Sequence, residues 1–207
     1  MLLAFEVSAS RARFVMAKRN PELRENKMAS RKGNHVAMFI ENNHNDHEVW
    51  YPIYRMREEG ARVVVIGPEK KEYKSKLGQS IHADIAAAEA EKELYDAIII
   101  PGGYAPDLMR LSPSMISIVA QHAHADKPVA AICHGSWLLA SADIVRGKRV
   151  TGAPSIKDDL VNAGGLFEDS EVVVDGTLVT SRKPDDLPAF CREIIALLPN
   201  RNSFHEI

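Results

Sequence analysis

The segment at residues 127–147 reads KPVAAICHGSWLLASADIVRG: a run of small and apolar residues that changes to helical spacing. A short, continuous apolar run is typical of a strand buried on both faces, as in a parallel sheet. From Trp137 onward the apolar side chains recur with helical spacing, which predicts a helix. Cys133 and His134 stand where the strand becomes the helix. The segment therefore predicts an α/β fold with a thiol and an imidazole at the end of a strand, where such folds place their sites.

Strands and helices alternate in the same way from residue 35 onward. Buried strands are predicted at HVAMFIE (35–41), ARVVVIGP (61–68), DAIIIPGG (96–103), PVAAIC (128–133) and RVTG (149–152), and a hairpin at EVVVDGTLVTS (171–181). Helices are predicted at 46–60, 112–126, 134–144, 155–165 and 183–199, and the charged stretch 70–95 predicts a small strand pair and an Ala/Glu-rich helix. This pattern predicts a mostly parallel sheet with helices on both faces.

Composition narrows the class of protein. With 207 residues, 45% hydrophobic and 26% charged, the chain has the make-up of a globular protein of one domain. No apolar run approaches the ~20 residues that cross a bilayer. Its two cysteines form no C-x-x-C pair, which favours a reducing, cytoplasmic location. No glycine-rich fingerprint follows the first strand, so we expect no dinucleotide.

The charge is distributed unevenly. Residues 1–34 carry a net charge of +5, although the whole chain carries −2. Such a basic arm could contact nucleic acid or an anionic surface; we favour a solvated extension, or a natural start at Met28. The predicted organisation is thus a basic extension over 1–34, a domain over 35–200 and a tail over 201–207.

Cys133 occupies a position that favours a reactive thiol. The N–H groups and the positive end of the following helix stabilise a thiolate, so we expect a lowered pKa. The N–H groups of the turn at Gly135, together with those of Gly102 and Gly103 after the preceding strand, could hold an oxyanion. The alternative is an inert packing residue, which is our interpretation of Cys191.

The loop after the first strand, HNDHE at 44–48, contains side chains that could bind a metal. We favour a polar loop beside the site, and we predict no metal.

Five stretches carry a family resemblance: IIIPGGYAPDLMRL, AAICHGSWLL, RGKRVTG, SIKDDLVNAGG and VVVDGTLVTSRKPDDLPAF. Together they resemble the PfpI/ThiJ superfamily, and within it the PfpI branch of intracellular cysteine peptidases and general stress proteins; a protein deglycase belongs to the same superfamily. The likeness runs from about residue 35 to residue 198. It implies a flavodoxin-like three-layer sandwich, similar to class I glutamine amidotransferases. It also implies a cofactor-independent enzyme that acts on peptides, or on reactive carbonyls such as methylglyoxal and their glycated adducts.

The resemblance also assigns residues. It implies that Cys133 is the nucleophile and His134 its partner, with Asp107 contributed by a neighbouring subunit of a homo-oligomer, a dimer or hexamer. Gly103 and the N–H of His134 would form the oxyanion hole. Relatives carry a glutamate in an F-E-D-x-E loop that hydrogen-bonds the cysteine, and we align Asn45 with it. The prediction is that Asn45 donates to the sulfur but transfers no proton.

A second interpretation is left open. The chain could be a stress-response redox sensor or chaperone whose Cys133 is oxidised and which turns over little substrate.

Overall fold

The computed structural model describes residues 33–200 of the 207. The predicted tail and residues 1–32 of the predicted extension lie outside this range, so the division into three parts stays a prediction. No helix in the described range is long and apolar enough to span a bilayer.

Each apolar run that predicted a strand forms one. The strands are β1 (His35–Phe39), β2 (Arg62–Gly67), β3 (Glu72–Lys74), β4 (Ser80–His82), β5 (Ile85–Ala86), β6 (Ala97–Ile100), β7 (Val129–Ile132), β8 (Arg149–Val150), β9 (Leu166–Phe167), β10 (Val172–Asp175) and β11 (Leu178–Ser181). The α-helices are α1 (Asp46–Glu58), α2 (Ala87–Ala90), α3 (Ala105–Met109), α4 (Pro113–His124), α5 (Ser136–Ser141), α6 (Lys157–Asn162) and α7 (Leu187–Leu197).

Seven strands form the central sheet in the order β10-β11-β7-β6-β1-β2-β5. All neighbours are parallel except the β10–β11 hairpin, which forms one edge. The register places Met38 of β1 beside Val65 of β2 and Ile99 of β6. The predicted mostly parallel sheet is confirmed.

The side chains of the central strands alternate between two apolar layers. In β1, Val36 and Met38 face the layer that packs against α1 and α7, whereas Ala37 and Phe39 face the layer under α2, α4, α5 and α6. This alternation follows from the two-residue period of a strand. Helices therefore cover both faces, which confirms the three-layer sandwich.

The structure differs from the sequence predictions in two elements. The Ala/Glu-rich helix is a single short turn, α2. The helix α3 was not predicted, because its five residues are too few to show a period. This helix follows β6 and contains Asp107.

Candidate active site

The candidate site lies at the carboxyl ends of three adjacent strands, β1, β6 and β7. The loops that leave these strands carry Asn45 and Glu48, then Gly102 and Gly103, then Cys133. Neighbouring strands thus contribute their loops to one edge of the parallel sheet, which is where such sheets place their sites.

Cys133 has a strained backbone. Its φ is +60°, in the left-handed region that costs a residue other than glycine about 1–3 kcal/mol. A 3₁₀ turn over Cys133–Gly135 follows and leads into α5. The strain is maintained by the fully buried strand β7 on one side and the helix on the other. Such a sharp strand-to-helix turn exposes the nucleophilic serine of α/β-hydrolases, and here it leaves Cys133 partly exposed.

Gly102 lets the loop after β6 approach the cysteine. A Cβ atom at this position would lie 2.7 Å from Cβ of Cys133 and 2.9 Å from the backbone nitrogen of His134. The N–H of Gly102 donates to Oε2 of Glu48 over 2.6 Å. The prediction that this N–H holds an oxyanion is therefore wrong, because a buried carboxylate already accepts it.

Two backbone N–H groups do face the sulfur. Those of His134 and Gly103 hydrogen-bond Cys133 and lower the pKa of its thiol. Gly103 has a φ of +77° and forms a β-bridge with His44, which fixes its N–H. Gly135 instead serves packing, since a Cβ there would lie 2.5 Å from the carbonyl oxygen of Ile100.

His134 is held between two side chains. Its Nδ1 lies 3.2 Å from Sγ of Cys133, and its Nε2 lies 3.0 Å from Oγ of Ser155. The ring also packs edge-on against Trp137, with centroids 5.1 Å apart. Burial lowers the pKa of His134, so the imidazole is neutral at pH 7. Both ring nitrogens thus have partners within one chain.

Glu48 lies in the first turn of α1 and is completely buried. Its Oε2 accepts the N–H of Gly102, and the neighbouring Cys133 thiol acts on the carboxyl to lower its pKa, whereas Oε1 is buried without a hydrogen-bond partner among the described residues. Burial raises the pKa of Glu48 to about 7, although the Gly102 N–H and the positive charge of Lys76 oppose the shift. A carboxyl with this pKa can both take and give a proton near neutral pH.

The pKa of Cys133 is raised to about 11, first by burial and then by the negative charge of Glu48. The sequence prediction of a lowered pKa is therefore wrong. The N–H groups of the turn lower the thiol pKa, as predicted, but burial and the neighbouring Glu48 raise it by more. The thiol therefore keeps its proton to a higher pH than the carboxyl does.

The structure also corrects the alignment of the loop after β1. The residue that meets the sulfur is Glu48, three positions beyond Asn45. Asn45 is the N-cap of α1: its Oδ1 accepts the N–H of His47 over 3.1 Å. The expected loss of a proton-transferring group at this site is therefore wrong, because Glu48 supplies one.

Asp107 lies in the first turn of α3 and is exposed. Within one chain it does not reach His134, whose ring nitrogens meet Cys133 and Ser155. Cys191 is far from this chemistry: it is buried in α7, and burial raises its pKa to about 12.

A cavity of about 480 Å³ opens above the thiol. It is lined by Asn45, Lys76, Gly103, Tyr104, Cys133, His134, Trp137 and Ser155. The sequence analysis missed Glu48, Lys76 and Ser155 as site residues. An acidic side chain in the first turn of the helix that follows β1 could have indicated Glu48. Ser155 lies 21 residues from His134 in sequence, and no motif connects the two.

The site can be compared with known proteins. Residues 34–197 match the sequence model of the DJ-1/PfpI family. A deglycase of Pyrococcus horikoshii is 42% identical over 163 residues, which are 79% of this chain and 98% of the relative. Protein/nucleic acid deglycase 2 of Escherichia coli is 41% identical over 166 residues, 79% of this chain and 96% of the relative.

A solved structure shows the same architecture. The crystal structure of DJ-1beta from Drosophila melanogaster matches with a TM-score of 0.76 and 26% identity, covering 81% of this chain and 91% of that one.

Proposed function

Because the chain belongs to the DJ-1/PfpI family, we propose that it is a cysteine-dependent hydrolase that acts on small reactive carbonyls and on the adducts they form with proteins. One observation carries the proposal: the Cys133 thiol lies between the imidazole of His134 and the carboxyl of Glu48, with two backbone N–H groups facing the sulfur. A cavity of about 480 Å³ suits a small carbonyl compound. The names of the relatives, deglycases among them, point the same way.

The chemistry follows from this geometry. Glu48 accepts the thiol proton, and the sulfur adds to the carbonyl carbon, so that an S–C bond forms and the π electrons move to oxygen. The N–H groups of Gly103 and His134 stabilise that oxygen, which then receives the proton from Glu48. With methylglyoxal the product is a hemithioacetal. Glu48 can next move the C–H proton from the former aldehyde carbon to the neighbouring ketone carbon, while the hydroxyl proton passes to the ketone oxygen. The product is a thioester, which water hydrolyses to a 2-hydroxy acid and the free thiol.

The test is direct turnover. Purified protein should convert methylglyoxal to lactate, followed by proton NMR, and should convert a methylglyoxal-modified peptide to the free amine and lactate. A fluorogenic peptide measures the alternative, peptide-bond hydrolysis, in the same buffer. No lactate with rapid peptide cleavage would replace this proposal by the peptidase.

The redox-sensor interpretation has less support. Oxidation of a cysteine requires thiolate, and burial together with the charge of Glu48 raises the pKa of the Cys133 thiol. Both cysteines are free thiols, which fits a reducing compartment, and we propose the cytoplasm.

We propose that Ser155 orients His134. Replacing Ser155 with Ala should lower kcat for methylglyoxal about fivefold, because Nε2 of His134 loses a hydrogen bond worth roughly 1 kcal/mol. Ser155→Thr keeps the hydroxyl and should restore activity. The measurement is kcat across pH, with thermal unfolding as the control, since Ser155 is exposed and its removal should leave the melting temperature unchanged. An unaltered kcat and pH profile in Ser155→Ala would contradict this role.

We also propose that the protein is a homo-oligomer in which Asp107 approaches His134 of a neighbouring subunit. Asp107 is exposed and is flanked by Tyr104 and Leu111, which are 75% and 79% exposed, a large apolar area for a free surface. A partner carboxylate would share Nε2 of His134 with Ser155.

Mixed subunits test this arrangement. Cys133→Ala and Asp107→Ala proteins should each be inactive, and activity should reappear when they are mixed and allowed to exchange, because one hybrid site then contains both wild-type residues. Light scattering at the assay concentration should show an oligomer. A fully active monomer would refute the proposal.

A further inference from the structure

The cavity above Cys133 carries one formal charge. Of the eight residues that line it, only Lys76 is charged at neutral pH. Burial keeps His134 neutral by lowering its pKa, and the raised pKa of Cys133 keeps the thiol protonated. The remaining lining residues are glycine, asparagine, serine and two aromatic residues. A neutral carbonyl compound would therefore bring no opposite charge to Lys76.

Lys76 is placed at the cavity by its backbone. It lies in the turn between β3 and β4, and its N–H donates to the carbonyl of His44 over 3.0 Å. His44 in turn bridges to Gly103, one of the two residues whose N–H faces the sulfur. The ammonium group also acts electrostatically on Glu48. The positive charge of Lys76 is thus held close to the reacting groups by the backbone contacts of His44.

The ammonium group of Lys76 has no carboxylate partner among residues 33–200. In that range Lys71, Lys127, Lys148 and Lys183 are each paired with an acidic side chain. Charges at the rim offset each other, because Arg110 and Asp159 both contact Trp137. Glu48 interacts electrostatically with Lys76, but it is buried behind Gly102 and does not line the cavity.

We propose that Lys76 binds a carboxylate of the substrate, so that the cavity prefers small anionic carbonyl compounds and their adducts over neutral ones of the same size. The proposal deepens the proposed function, on which it rests for the identity of the reacting thiol. An ammonium group and a carboxylate form a charge-assisted hydrogen bond, which is stronger than a bond between neutral groups.

Two alkylating agents of nearly equal size test this preference without any turnover. Iodoacetate carries a carboxylate where iodoacetamide carries an amide. In both reactions the Cys133 sulfur forms a bond to carbon, the C–I bond breaks, iodide leaves and the thiol proton passes to solvent. The second-order rate constants for Cys133, followed by mass mapping, measure how the cavity treats an anion and its neutral counterpart.

Lys76→Met should lower the rate constant for iodoacetate about fivefold to tenfold and change that for iodoacetamide less than about twofold. Lys76→Arg should keep the preference, since it keeps the charge. Lys74→Met is the matched control, because Lys74 is exposed on the same hairpin and does not line the cavity. Added salt should slow the reaction of Cys133 with iodoacetate more in the wild type than in Lys76→Met.

An unchanged ratio of the two rate constants in Lys76→Met would overturn the proposal. An equal loss of the iodoacetate rate constant in Lys74→Met would also overturn it, because the effect would then come from the overall positive charge of the hairpin. If the wild type fails to turn over methylglyoxal while the ratio still depends on Lys76, the anion site stands and the proposed function falls.

Discussion

Replacing Cys133 with Ala is expected to lower kcat/KM for methylglyoxal by at least about a thousandfold. The thiol is the nucleophile that lies between His134 and Glu48, so Cys133→Ala removes the group that forms the covalent intermediate. The measurement is the rate of lactate formation by wild-type and variant protein at equal concentration. Circular dichroism should show the same fold, because Cys133 is only partly buried.

Cys191→Ala provides the matched control. Cys191 is buried in the core away from the cavity, so its removal should leave kcat/KM within about twofold while reducing stability by roughly 1 kcal/mol. Iodoacetamide should modify Cys133 much faster than Cys191. A Cys133→Ala protein that retains turnover, or equal labelling of the two cysteines, would remove Cys133 from the mechanism.

The second large effect is expected for Glu48→Gln, which should lower kcat by about 10²–10³. Glutamine keeps the shape and can still accept the Gly102 N–H, but it cannot take the thiol proton. Because Glu48 must be ionised to act as a base, wild-type kcat/KM should rise with pH through about 7, the pKa to which burial raises this carboxyl. In Glu48→Gln that rise should be missing. An unchanged rise in the variant would assign the base to another group.

The same substitution should stabilise the protein at alkaline pH. The pKa of Glu48 is raised from 4.5 to about 7, so the folded state binds this proton more tightly than the unfolded chain does. The corresponding stability is present below pH 4.5 and is lost as the pH rises through about 7. A shift of this size corresponds to roughly 3 kcal/mol.

Urea unfolding measures this loss of stability with rising pH. Between about pH 5 and about pH 8, the free energy of unfolding of the wild type should fall relative to that of Glu48→Gln. Parallel pH dependences in the two proteins would mean that Glu48 does not titrate in this range.

The fold was predictable because its signals are local and repeated. The apolar runs of β1, β2, β6 and β7 are short and continuous, and the helices between them show their period. The position of Cys133 followed from the same reasoning, since a strand must end where a helix begins. What the sequence could not show was the balance of forces on the thiol. The helix end favours the thiolate, but Cys133 is buried beside an acid that arrives from another loop.

The errors in the site have a common physical cause. Asn45 and Glu48 are close in sequence, and only the cap geometry shows that Asn45 starts α1 while Glu48 points inward from its first turn. Gly102 was correctly placed near the cysteine, yet its N–H is used by Glu48, a contact across 54 residues. Ser155 and Lys76 reach the cavity from loops whose sequences carry no chemical pattern. Long-range contacts of this kind leave no period to detect.

The edges of the central sheet affect how the protein behaves at high concentration. Exposed strand edges template aggregation, because their free N–H and C=O groups can pair with another chain. One edge here, β5, has only two residues. At the other, Arg149 donates from its side chain to the carbonyl of Val174, and its backbone N–H bonds the side chain of Asp175. With both edges short or covered, the sheet offers little room for strand addition, and thermal unfolding rather than edge-to-edge association should limit its solubility.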